Sequence, residues 1–370
     1  MLSTNTIQTR TEFQALQPEW DELLARSDDA SVFLTHEWLS TWWKHLGKDR
    51  SLHVLTVRDN GRLIGVLPLA LRVPQYSRMM PRVLEFLGSG VVGSDYLDAI
   101  VDREREEETL DAFAHNLARS RFMVQFGQLR RGECKAQKLA SRLARSNWRV
   151  SDTRVNVCPY IPLNVPTWDD YLATLGNSQR SNFQRRLRNL QKVDGFRFVR
   201  AQTVDEAGHA LDVLIELHKK RWSATPHLSE AFQSDSIIAF HREFVQLAAK
   251  RGWLRLLSLW IKDAPAAALY GLRYGSTFSF YQSGFDTALS RQSVGLVMMG
   301  LAIKSAFEEG ALEYDLLHGN EEYKFHWTGK TRELGRIELF PPYARGAFYR
   351  HCVGLNRAAR RMVRRMLIRA

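Results

Sequence analysis

Between Tyr281 and Trp327 the chain reads YQSGFDTALSRQSVGLVMMGLAIKSAFEEGALEYDLLHGNEEYKFHW. This order leaves few folds open. A strand pattern ends near Phe285, a loop follows, and helical periodicity runs from Gly295 to Glu309. A second strand pattern, 312–317, leads into the polar cluster His318, Gly319, Asn320, Glu321, Glu322, Tyr323 and Lys324. Strand, glycine-bearing loop, helix and strand in this order put free backbone N–H groups at a helix start, which suits a phosphorylated ligand.

The chain has 370 residues, long for one core and comfortable for two. An extended segment from Asn147 to Leu163 ends among Pro159, Pro162 and Pro166, and a boundary is predicted there. The expected units are 1–163, 164–345 and a basic amphipathic helix over 346–370. LTVRDNGRLIGVLPL in the first unit lines up with LSLWIKDAPAAALYGL in the second. Each is an apolar strand, a short charged turn and a strand with small residues, which suggests two copies of one α/β unit. Thr11–Arg26 and Thr35–Leu46 read as helices, and the stripe Trp38, Leu39, Trp42, Trp43 and Leu46 reads as core. A single helix is expected over 228–251.

The net charge is +12, and no acidic residue follows Glu338. Eight arginines beyond that point carry eight of those charges, leaving +4 for the body. This differs from a nucleic-acid-binding domain that is basic throughout. The basic tail fits an anionic membrane surface or an acidic partner, or docking on its own domain. Cys134, Cys158 and Cys352 form no CxxC pair, which fits a reduced cytoplasmic protein. The first residues lack an apolar leader segment, and no run of about 18 apolar residues occurs. A cytoplasmic location follows, at the inner membrane face if the tail binds lipid. No spacing of His, Cys, Asp or Glu suggests a metal.

Gln292, Gly295 and Val297 approximate the pattern Q/R-x-x-G-x-G/A, with Val297 in the last small position. Backbone groups of Gln292, Ser293, Val294, Gly295, Leu296 and Val297 are the candidate pyrophosphate site; the alternative is a helix start with a packing glycine. His318 and Glu321 or Glu322 are candidate bases, because histidine titrates in the useful range. Asp315 points into a cleft or caps a turn. Tyr281 and Asp286 are candidate substrate contacts, Asp286 with the alternative of capping the loop. Lys324 neutralises a phosphate or carboxylate, or forms an exposed ion pair. In SQRSNFQRRLRNLQK, Arg185 and Arg188 share a basic helix face suited to a phosphate-bearing substrate, the alternative being a solvated face.

The RQSVGL loop, QSGFD, YDLLHGNEEYKFHW and the early HEWLSTWWKHLG together resemble the CelD/BcsL-type acetyltransferases. These belong to the BioF-like branch of the GNAT superfamily and are related to the FemAB aminoacyl-transferases. The resemblance extends to about residue 340. It implies an α/β fold of tandem GNAT-like (acyl-CoA N-acyltransferase) domains, with mixed central sheets flanked by helices and the acyl-CoA site in the second. It also implies a catalytic tyrosine early in the helix after the fifth strand, a place that Tyr323 occupies.

On this basis the chain is expected to move an acyl group from acetyl-CoA, or another acyl-CoA, to an amine of a sugar or cell-envelope precursor. One alternative is an aminoacyl-tRNA-dependent transferase, the only one with a nucleic-acid partner. Another is a non-catalytic accessory protein of a polysaccharide synthase.

Overall fold

The computed structural model describes residues 1–28, 31–73, 81–132, 134–223, 230–344, 346–351 and 353–354. Two sheets form its centre. One has four strands in the order Leu2–Ile7, Val54–Asp59, Arg62–Leu67 and Ile100–Val101. The other has eleven strands and runs through both halves of the chain. The chain therefore adopts a mixed α/β architecture, with helices against a large mixed sheet and a smaller antiparallel one.

The two hairpins matched in the sequence both form, Val54–Asp59 with Arg62–Leu67 and Leu254–Ile261 with Ala264–Tyr274. They differ beyond the turn. In the first half, Pro68 interrupts the returning strand, and Leu69–Arg72 joins the eleven-stranded sheet instead. Proline has no N–H to give to a ladder, so a strand breaks there and changes sheet.

A strand not anticipated from sequence, Thr331–Phe340, joins the halves. It pairs with Met123–Arg130 on one side and with Arg149–Pro162 on the other. The far end of Arg149–Pro162 then pairs with Glu313–Asp315. One long strand thus belongs to both halves, and a strand from the end of the chain sits between strands of its first half.

The stretch predicted as one helix over 11–26 is two, Arg10–Ala15 and Gln17–Ala25, because Pro18 starts a new helix. The helix predicted over 228–251 begins only at Asp235, where the Ser234 hydroxyl accepts from the Ile237 N–H; positions 224–229 lie outside the described residues. Thr35 caps His36–Leu46 as expected, accepting from the Trp38 N–H.

The aromatic stripe on His36–Leu46 is core. Trp38 is fully buried and meets Phe240 and Phe244 edge-on, with ring centroids 4.9 and 4.7 Å away. Its indole N–H donates to the Ser94 hydroxyl at 2.9 Å, and that hydroxyl donates to the Gly88 carbonyl at 2.8 Å. One apolar core accordingly includes residues of both halves, while a second fills the space around Val294–Glu308.

Residues 346–351 are helical, and Tyr349 is buried against Val83, Met123 and Phe340. The beginning of the tail therefore docks on its own chain. The rest of the predicted basic helix, 355–370, lies outside the described residues. No helix among the described residues is long and apolar enough to cross a membrane.

Candidate active site

The site begins with a split between two strands. Thr277–Phe285 runs parallel to Glu313–Asp315, but only Thr277, Ser279 and Phe278 between them have partners there. Beyond Ser279 the strands part. Two local features cause this. Tyr270 pairs with Gln282 and Gly271 with Phe280, so Tyr281 is an extra, bulged residue that bends its strand. On the other side Leu317 has φ 53°, its N–H bound at 2.7 Å by the carboxylate of Asp315. That Asx-type turn ends the strand and redirects His318. Gly319 follows at φ +135, where an added Cβ would strike the Glu321 carboxylate.

A cavity of about 370 Å³ opens at the end of Thr277–Phe285. It is lined by Ser283, Gly284 and Phe285, by Ser293–Leu296 at the start of helix Val294–Glu308, and by Tyr323. Ser293 is left-handed (φ 59°) and its side chain does not cap the helix. The first N–H groups of a helix have no intrahelical acceptor, and Val294, Gly295 and Leu296, which carry them, line this opening. Gly295 sits against the Phe285 ring, an added Cβ lying 3.2 Å from Cδ1.

A second cavity, of about 590 Å³, lies on the other side of Tyr323. Its walls come from both halves: the glycine loop 89–93, Gln125 and Gln128 from the first, and Tyr281, His318 and Lys324 from the second. Arg221, Ser283 and Tyr323 line both cavities. Arg221 donates to the Ser283 hydroxyl at 3.1 Å and lies 5.4 Å from the centre of the Tyr323 ring. Burial pushes the Tyr323 pKa up to about 12, opposed by Arg221.

His318 carries the most directed chemistry. Its Nδ1 lies 2.8 and 2.9 Å from the two carboxylate oxygens of Asp95, and its backbone N–H donates to the same carboxylate at 2.8 Å. Gln128 Nε2 donates to Asp95 at 2.9 Å. The Asp95 side chain is 0% exposed and that of His318 is 37% exposed. A buried carboxylate on Nδ1 fixes the ring and leaves Nε2 unprotonated in the neutral form. The charge of Asp95 raises the His318 pKa above its ordinary 6.5, against the opposing pull of burial.

The structure sorts the remaining sequence candidates. Ser293, Val294, Gly295 and Leu296 line the first cavity; Gln292 and Val297 do not, and Val297 is buried in the core. Lys324 is 3% exposed, so its ion pair with Glu321 at 3.1 Å is not the exposed one expected. It donates to the His318 carbonyl at 2.7 Å and steadies the turn. Glu322 is exposed and lines neither cavity; Glu321 lines the second.

Asp315 faces away from both cavities. It accepts from the Tyr96 hydroxyl at 2.7 Å and pairs with Arg332 at 3.2 Å. Burial pushes its pKa up to about 6. Asp286 caps the turn that follows it, accepting from the Ala288 N–H at 2.9 Å. Tyr281 lines the second cavity while its hydroxyl donates to the Val92 carbonyl. Arg185 lines a third hollow beside the helix start, whereas Arg188, among the described residues, bonds only within its own helix, to the Gln184 carbonyl at 3.3 Å.

Asp95 and Arg221 were not candidates from sequence. Asp95 ends the run GSGVVGSD, whose glycine density was its only signal, and lies 223 positions from His318. Arg221 is one of several cations in a helix and carries no motif.

A family model described as an acetyltransferase (GNAT) domain matches residues 177–325. This segment is similar to GNAT-type transferase domains. It holds the split strands, the helix start and His318, Arg221 and Tyr323. Among solved structures, FemX aligns with a TM-score of 0.63 and 11% identity, covering 94% of this chain and 99% of that one. L-PGS from Bacillus licheniformis aligns with a TM-score of 0.54 and 10% identity, covering 86% and 90%. A conserved protein of unknown function from Bacteroides thetaiotaomicron gives 0.53 and 12%, covering 92% and 99%. At these identities the likeness is one of fold. No curated protein matches the chain. Among the described residues no group of three His, Cys, Asp or Glu side chains could hold a metal ion.

Proposed function

We propose that the chain transfers an acyl group from acyl-CoA, acetyl-CoA in the simplest case, to an amine of a sugar or cell-envelope precursor. The observation that carries this reading is the junction at Arg221, Ser283 and Tyr323, where a cavity with a free helix start meets one with a carboxylate-held histidine.

In this reading the N–H groups of Val294, Gly295 and Leu296 bind the CoA pyrophosphate. Arg185 stands beside that end, within reach of further phosphate charge. The open edge of Tyr281–Ser283 offers backbone groups to the amide-bearing arm of CoA. His318 Nε2 takes a proton from the acceptor nitrogen as that nitrogen attacks the thioester carbonyl. The C–S bond then breaks, and Tyr323, still protonated at neutral pH, gives its proton to the departing thiolate. Arg221 adds positive charge where oxyanion and thiolate develop. The acceptor class follows the CelD/BcsL resemblance, in which related chains are linked to polysaccharide biosynthesis.

Calorimetric titration with acetyl-CoA tests the donor. Binding in the micromolar to low millimolar range is expected, weakened when Gly295 is replaced by valine, which would crowd Phe285 and the helix start. No binding at millimolar ligand would overturn the reading.

A prediction on pH follows from the histidine. Only neutral His318 accepts a proton, so kcat/KM should fall as pH drops through a value above 6.5. In Asp95→Asn the raising charge is gone, so this acid limb should move to lower pH while the plateau rate drops. An unmoved limb would show that the titrating group is not His318 held by Asp95.

The likeness in fold to FemX supports a second reading, transfer from an aminoacyl-tRNA. The exposed arginines of helix Asn177–Gln191 suit it. It predicts RNA binding that weakens steeply with added salt, and acetyl-CoA binding without RNA binding would exclude it.

A further inference from the structure

The second cavity has a floor that the transfer chemistry does not use. Arg336 lies on Thr331–Phe340, opposite Thr153, and its side chain lines this cavity. Its Nε is buried and meets no hydrogen-bond partner, and among the described residues it faces no carboxylate within ion-pair distance. Nearby arginines differ in having a carboxylate partner, although Arg131 Nε is likewise buried and unbonded. Arg332 pairs with Glu313 and Asp315, and Arg131 and Arg154 both pair with Glu333. A solvated arginine without a partner is ordinary, but a guanidinium with a buried, unbonded Nε in a cavity wall is costly.

The rest of the cavity does not supply the missing counter-charge. Glu321, a carboxylate on its wall, already pairs with Lys324 at 3.1 Å. Arg221, also in its wall, has only ring and hydroxyl partners among the described residues. Gln125 and Gln128 stand beside Arg336 as neutral hydrogen-bonding groups, and an added Cβ at Gly127 would meet nothing within 4 Å. The floor is thus roomy, polar and positively charged.

We propose that the acceptor carries an anionic group, a carboxylate or a phosphate, and that Arg336 holds it while the acceptor nitrogen lies at His318. A planar guanidinium suits both anions, since each offers two oxygens to its fork of N–H donors. This rests on the acyl-transfer reading and adds the charge of the acceptor to it.

The test uses the full chain, titrated calorimetrically with glucosamine, glucosamine 6-phosphate and glucosaminate. Each titration is run alone and with CoA present to occupy the helix start. At least one anionic probe should bind tenfold or more tightly than glucosamine, with CoA bound. Preference for the 6-phosphate identifies phosphate as the anion, and preference for glucosaminate identifies carboxylate. Arg336→Gln should abolish that preference while leaving acetyl-CoA affinity unchanged, and Arg336→Lys should keep part of it. Equal binding of the three probes, or a preference that survives in Arg336→Gln, overturns the inference even if acetyl-CoA binds normally. If Arg336→Gln does not fold, the wild-type preference and its reduction in Arg336→Lys decide. Failure of acetyl-CoA to bind the wild-type chain overturns the acyl-transfer reading instead, and the anion preference is still read from the titrations without CoA.

Discussion

His318→Gln should lower kcat roughly 10²- to 10⁴-fold, the usual contribution of a positioned general base, and leave acetyl-CoA affinity unchanged. Glutamine keeps a polar group for Asp95 but has no titrating nitrogen. The separation of effects is the decisive part, because His318 lines the second cavity and not the one at the helix start. Thiol release from acetyl-CoA with an amino-sugar acceptor measures kcat, and calorimetry measures donor binding. A variant that keeps wild-type kcat would remove His318 from the chemistry. One that loses donor binding as well would point to a collapsed turn.

Trp38→Ala should destabilise the chain by about 3–5 kcal/mol, the cost of deleting a large buried aromatic side chain. Trp38 is 0% exposed and packs on Phe240, Phe244 and Tyr281 of the second half and on Phe33 of the first. The deletion leaves a cavity where the halves meet. It also removes the donor that holds Ser94, next to Asp95. Urea unfolding measures the loss, and Trp38→Phe, which keeps most of the apolar volume, should lose much less. A cost below about 1 kcal/mol for Trp38→Ala would mean that the site relaxes freely and that the halves are joined elsewhere. Because Asp95 orients His318, the surviving folded fraction of Trp38→Ala should also transfer more slowly.

Strands and helices with strong periodicity were legible. Leu254–Ile261, Thr277–Phe285 and Val294–Glu308 fall within a residue of their predicted bounds at every end. Thr331–Phe340 was not legible as a strand, although it completes the sheet between the halves. Its sequence, TRELGRIELF, alternates weakly and includes a glycine at a register shift. The unexpected burial of Lys324 is of the same kind. Nothing in EEYKFHW says that its amine closes on the carbonyl at position 318.

The sequence by itself determined the helix start that would meet a phosphate and the polar turn after the next strand. Both are local: one needs a glycine and free N–H groups, the other a short run of polar residues. What only the tertiary structure decided is the partner of each catalytic candidate. Asp95, Arg221 and Arg336 come from a loop, a helix and a late strand far apart in the chain, and the shared sheet brings them to one place. No local pattern marks them, because their roles depend on charge and burial in three dimensions. Asp95 raises the His318 pKa because it is buried against the ring, and among the described residues Arg336 pairs with no carboxylate, Glu321 in the same cavity wall being held by Lys324.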